Sequence, residues 1–136
     1  MFKKDRVLYL LDTALQEMKV LNEMSKDISM PDDFLTSISG LTVFRACGMS
    51  IQYITESFVK IRNLCGNGFF QSYKSVPWTS VFGMRNFLSH EYGDVDAEGF
   101  FNTVKTSIPT LLHVTEIIRK DLLDGKLDSY LADENN

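Results

Sequence analysis

Arg85-Asn86-Phe87-Leu88-Ser89-His90-Glu91-Tyr92 holds one of the chain's two histidines and gathers most of the side chains that could do chemistry. An unperturbed imidazole titrates near pH 6.5, so His90 can accept and return a proton at neutral pH. Arg85 never deprotonates, and its planar fork matches the oxygens of a phosphate. Histidine and arginine with no carboxylate cluster for magnesium suit a phosphodiester reaction run without a metal. RNA fits best, because its 2′-hydroxyl is an internal nucleophile. On an ideal helix Asn86 and His90 share a face and Arg85 and Ser89 form the adjacent row. Arg85 is then rotated by about 140° from His90. A shared site requires the arginine to wrap, the last turn to loosen, or a second copy of the motif to face the first across a dimer. A reading without chemistry stays open: His90 in a last helical turn complements the negative end of the helix dipole, Tyr92 anchors the next turn, and Asn86 caps or bridges.

The elements that must position these residues read as helices. Val7, Leu11, Ala14, Met18 and Leu21 recur at spacings of three and four, which predicts an amphipathic helix over about residues 3–27. Ser29, Pro31 and Asp32 supply a cap, a fixed φ and first-turn negative charge, predicting a second, longer helix that ends near Gly66. Its stripe runs through Phe34, Ile38, Leu41, Phe44, Cys47, Ile51, Ile54, Phe58, Ile61 and Cys65, locally weakened by Gly40 and Gly48. The segment 66–76 opens with turn residues but carries Phe69, Phe70 and Tyr73, which are expected to pack. Pro77, Trp78, Val81, Phe82 and Leu88 predict a short third helix with the motif at its C-terminal end, on a track shared by Trp78, Phe82, Arg85 and Ser89. Asp96 can cap a last long helix through Phe100, Val104, Ile108, Leu111, Thr115, Ile118 and Leu122, with a kink expected at Pro109. No strand pattern or repeat is present. The economical fold is all-α: an antiparallel, up-and-down bundle of four to five helices. It is expected as one domain over 1–124, followed by an acidic C-terminal tail over 125–136.

The bulk numbers narrow the function classes. With 136 residues and 44% hydrophobic content, the chain can bury one good core and not two. A formal charge of −4 argues against a broad basic face that coats nucleic acid, so any RNA contact must be local. Cations that could gather near the site are Arg45, Lys60, Arg62 and Lys74. Arg45, next to the core stripe, either reaches the site or pairs in the interior with Glu56 or another acid. Cys47 and Cys65 stand without zinc-finger histidines or a secretory signal pattern and read as reduced core residues of a cytoplasmic protein. No apolar run approaches the ~20 residues needed to span a bilayer. His113 reads as a packing or surface residue, and Glu56 and Glu116 lack the Glu-x-x-His partners of a di-iron bundle. Gly66-x-Gly68 follows a helix rather than a strand and is no phosphate cradle. No metal site and no cofactor is expected.

Arg85-Asn86 through His90 and Tyr92 resembles the R-x4-H-x-Y signature of HepT-like HEPN proteins, the toxin halves of HEPN–nucleotidyltransferase toxin–antitoxin pairs. Val76-Pro77-Trp78, Gly83-Met84, Val95-Asp96 and Ile108-Pro109-Thr110-Leu111 agree with it, and the likeness extends from the first helix to about residue 122. The resemblance implies a helical homodimer whose two motifs face one cleft, acting as a metal-independent endoribonuclease of a type VII-like pair. Catalytic roles fall to His90 in proton transfer, Arg85 in stabilising the charged transition state, and Asn86 in orienting one of them. It further implies a minimal nucleotidyltransferase antitoxin that transfers AMP to Tyr92, with RNA, transfer RNA among the candidates, as substrate, and a possible higher assembly with the antitoxin. A rival reading makes the chain a non-catalytic substrate-binding or complex-forming subunit of a nucleotidyltransferase.

Overall fold

Helix α1 (Lys3–Met24) is followed by a 3-10 turn (Pro31–Phe34), α2 (Ile38–Cys65), the one-turn α3 (Gly68–Gln71), α4 (Trp78–Gly83), α5 (Ala97–Asn102) and α6 (Ile108–Leu123). A π turn over Thr103–Ser107 joins the last two into one continuous helical segment. This is a computed structural model, and it describes residues 2–84 and 96–132. Among the described residues every regular element is helical.

Three long-range contacts order the segments as an antiparallel bundle. The Lys105 ammonium donates to the Ser25 carbonyl at 2.7 Å, Arg119 Nε to Asp12 at 2.6 Å, and Lys4 Nζ to Asp128 at 3.3 Å. The last helical segment therefore runs opposite to α1. Glu17 of α1 accepts from the Ser50 hydroxyl in the middle of α2, and Lys3 is close enough to Cys65 at the end of α2 to act on its thiol. Those two helices are antiparallel as well. The heptad-like stripe of α1 is buried without exception from Val7 to Leu21, as helical amphipathicity requires.

The core has two aromatic centres. Phe34, Phe44 and Phe100 meet at centroid separations of 4.5 to 5.9 Å and tie the 3-10 turn, α2 and α5 together. At the other end Phe70 lies 4.4 Å from Trp78, and Phe58 and Phe82 complete the group. The rings of segment 66–76 thus do pack: Phe69 and Phe70 are buried, and Tyr73 donates its hydroxyl to Asp121 at 2.8 Å. Burial first, and then that carboxylate, push the Tyr73 phenol above its usual range.

Three boundaries differ from the sequence reading, each for a local reason, and the last helical segment is irregular near Pro109, where a kink is expected. α1 stops at Met24 because Ser25 turns its hydroxyl back to Leu21 while Lys105 takes its carbonyl. The expected single helix from Pro31 breaks in two. Asp33 accepts from the backbone N–H of Ser29 and Met30 and from the Ser29 hydroxyl, which ties off a 3-10 turn and holds its carboxyl below the usual range. Ser37 then caps α2 afresh by accepting from the Gly40 N–H. Gly40 is needed there, since a Cβ would collide with the Asp33 carbonyl oxygen. Near Pro109 the helix widens to a π turn, in which the Ile108 N–H bonds to Thr103, five residues back. Proline has no N–H and its ring crowds the carbonyl four residues earlier, here Lys105 within that turn. Beyond Gly125, whose φ of 83° favours glycine, Leu127 and Leu131 are buried and Tyr130 packs edge-on against Phe69. The packed region therefore reaches past residue 124.

Phe100 is fully buried at the junction of three elements. Phe100→Ala is expected to lower the free energy of unfolding by about 3–5 kcal/mol in urea titration.

Candidate active site

The sequence-derived site residues Arg85, Asn86, His90 and Tyr92 lie outside the described residues. What the structure supplies are the two fixed points between which they run. On the near side α4 packs on α2 and ends at Met84, which is buried. The Trp78 indole N–H donates to the Tyr73 carbonyl at 2.9 Å, so the start of α4 is pinned by a hydrogen bond as well as by stacking on Phe70. On the far side Asp96 accepts from the Gly99 N–H at 3.0 Å, capping α5 as its type and place in sequence suggested. A side chain on Gly99 would strike that carboxylate. Phe100, one turn on, is locked into the core.

The cations proposed as possible neighbours separate clearly. Arg62, in the last turn of α2, sets its guanidinium carbon 4.2 Å from the centroid of the Phe82 ring, a cation–π contact with α4. Lys60, two residues earlier and so rotated by about 200° about the helix axis, is exposed elsewhere on α2. Lys74 is exposed in the loop before α4. Arg45 and Glu56 are both exposed and stand about 16 Å apart along α2, which rules out the interior pair considered for them. His113 and Glu116 are exposed on α6. The Arg62–Phe82 contact is one that sequence reasoning left unplaced; its sequence signal is an arginine in a last helical turn, which the helix dipole alone could explain.

Thr55 shares the face of α2 that carries Arg62, two turns earlier. Its hydroxyl is fully buried and has no hydrogen-bond partner among the described residues. Thr13, Thr42, Thr103, Thr110 and Thr115 all donate to the carbonyl four residues back, and Thr55 does not. Burial pushes the Cys47 thiol up to about 11, against a smaller opposing effect of Lys105, and raises half-buried Cys65 too. Among the described residues no three metal-ligating side chains converge, and no helix is long and apolar enough to cross a membrane.

The profile of the family described as Ribonuclease HepT-like matches residues 11–118, from the first turns of α1 nearly to the end of α6. The chain belongs to the ribonuclease HepT-like family. A protein of Caldanaerobacter subterraneus subsp. tengcongensis named as a "Putative RNase" is 34% identical over 112 residues, covering 82% of this chain and 93% of the relative. Another with the same designation, from Methanocaldococcus jannaschii, is 28% identical over 118 residues, covering 87% of this chain and all of the relative. No solved structure matches the chain. The HepT-like match spans α2, α4 and α5 together, so both fixed points and the motif between them fall inside it.

Two stability changes follow from the anchors of this HepT-like chain. Asp96→Ala removes a cap and is expected to cost about 1 kcal/mol in unfolding free energy. Thr55→Val deletes an unpartnered hydroxyl at constant shape; chemical denaturation should show it neutral or more stable by about 1 kcal/mol, and a loss would mean that the hydroxyl has a partner.

Proposed function

We propose that the chain is a metal-independent endoribonuclease toxin that cuts RNA through Arg85, Asn86 and His90. The observation that carries this reading is the R-x4-H-x-Y pattern of Arg85, His90 and Tyr92 within a chain whose family match runs through it on both sides. The names of the two relatives support the same substrate class.

The chemistry needs only the groups the motif contains. The ribose 2′-hydroxyl attacks the adjacent phosphorus while the P–O5′ bond breaks, leaving a 2′,3′-cyclic phosphate and a 5′-hydroxyl. His90 takes the 2′ proton or delivers one to the departing 5′ oxygen, a role for which a group titrating near neutrality is suited. Arg85 offers a fork of N–H donors to the non-bridging oxygens, whose charge grows in the transition state. Asn86 holds one of these two in place. Because Arg85 and His90 diverge on a helix, the active form is a homodimer in which the two motifs line one cleft. A minimal nucleotidyltransferase antitoxin silences that cleft by transferring AMP from ATP to the Tyr92 phenol, releasing pyrophosphate and placing a bulky anion where RNA must sit.

The test is induced expression of wild-type and variant chains without the partner, with cellular RNA ends mapped and cleavage by purified protein repeated in a metal chelator. Arrested growth with new 2′,3′-cyclic phosphate ends is expected from wild type, insensitive to the chelator. Arg85→Ala and His90→Ala should each lower the cleavage rate by about 10²-fold or more. A folded wild-type chain that yields no new ends would instead favour a non-catalytic subunit of a nucleotidyltransferase.

A further inference from the structure

We infer that the outward face of α2 is a docking surface for a second copy of this chain, with the two α2 helices packed antiparallel. From Ile38 to Asn63 one residue per turn points away from the core, and every residue of that stripe is exposed. The solvated face of an amphipathic helix is normally polar along its length. Here Met49 and Tyr53, 50% and 53% exposed, occupy the centre of the stripe, and Ile38 at its start is 82% exposed. The bundle makes no use of these side chains, because α2 buries Cys47, Ile51, Ile54 and Phe58 on its other side. Tyr53 is nine residues from Arg62, about 180° around the helix axis, so the stripe also faces away from α4, on which Arg62 rests.

The symmetry of the stripe singles out a second copy as the occupant. An antiparallel pair of identical helices sets residues equidistant from one central position opposite each other, and about residue 51 this stripe complements itself. Met49 and Tyr53 lie two residues either side of that position and meet across the axis. Arg45 lies six residues before it and Glu56 five after, so the two charges face each other, and they do so twice. Within one chain they stand about 16 Å apart along the helix and cannot meet. Thr42 and Lys60, nine residues either side, set a hydroxyl against an ammonium, and Ile38 falls opposite the half-buried Leu64. No like charges are brought together. An apolar centre within a charged rim is the anatomy of a specific interface, and Met, Tyr and Arg are the residues enriched there. A helix of 28 residues offers roughly 400 Å² to its neighbour, about half of what a standard interface buries on each partner, so this association is weak and depends on concentration. It is independent of the ribonuclease reading: the dimer of that reading brings two motifs together, and the α2 face joins one such unit to another.

The experiment is sedimentation equilibrium of the full chain over a micromolar to sub-millimolar concentration series. Wild type should associate reversibly toward a mass twice that of Met49→Glu, which sets two carboxylates at the centre of the face. Arg45→Glu and Glu56→Arg should each weaken the association about tenfold, since each turns two attractive contacts repulsive. An equimolar mixture of these two variants should restore it, because every contact between unlike chains then pairs opposite charges; a mere folding defect gives no such rescue. Added salt should narrow the gap between wild type and either reversal. All three positions are exposed, and thermal melts check that the variants fold. Equal masses for wild type and Met49→Glu at every concentration would overturn the inference, and so would a loss on charge reversal that mixing fails to rescue. A face that instead holds the nucleotidyltransferase would show as variants that lose that complex while their own mass matches wild type, and this too overturns it. RNA cleavage is assayed in parallel: a chain that associates as described and cuts nothing sinks the ribonuclease reading alone.

Discussion

A helix of six residues has no stability of its own in water, since the cost of nucleating it is never recovered along so short a run. α4 exists because its rings are held: Trp78 against Phe70 and Phe58, Phe82 against Phe70 and Arg62. That aromatic contact holds α4 on the core as far as Met84, which is buried. This explains why the otherwise awkward segment 66–76 carries buried rings instead of a solvated loop. Phe69 and Phe70 form the shelf on which α4 rests, and Tyr130 closes the shelf from below.

The other end of the motif segment depends on the last helical segment, which must enter at Asp96 and still align with α1 at Arg119. Pro109 stands between these two demands. By forcing a π turn it inserts a rotation into the helix, and the same stretch presents Lys105 to the Ser25 carbonyl at the end of α1. The lysine satisfies a terminal carbonyl and places positive charge at the negative end of the α1 dipole. The irregularity thus sits beside two packing contacts, Phe100 in the aromatic core and Lys105 on the Ser25 carbonyl. Widened turns of this kind are frequent near functional sites, and here the turn lies just beyond the cap that ends the motif segment.

Helical class and core were legible because burial imposes a period of three to four on every long element, and each stripe residue named for α1 and α6 is buried. The caps at Asp96 and the stop at Gly66 were legible for the same local reason: one residue's chemistry decides each. What could not be read were features decided by two segments distant in sequence. The break between Pro31 and Ile38 arises from Asp33 reaching backward and from the close approach of its carbonyl to Gly40. The burial of Leu127 and Leu131 depends on neighbours that the acidic composition around them conceals. The placement of Arg62 on Phe82 joins residues of two helices, and no periodicity within either announces it. The motif is a local pattern of residue types, and it lies outside the described residues.

Net charge poses the remaining physical problem. An acidic chain repels RNA at long range, and screening at physiological salt confines that repulsion to about 8 Å. Affinity must then come from few, well-oriented contacts close to the reacting phosphate.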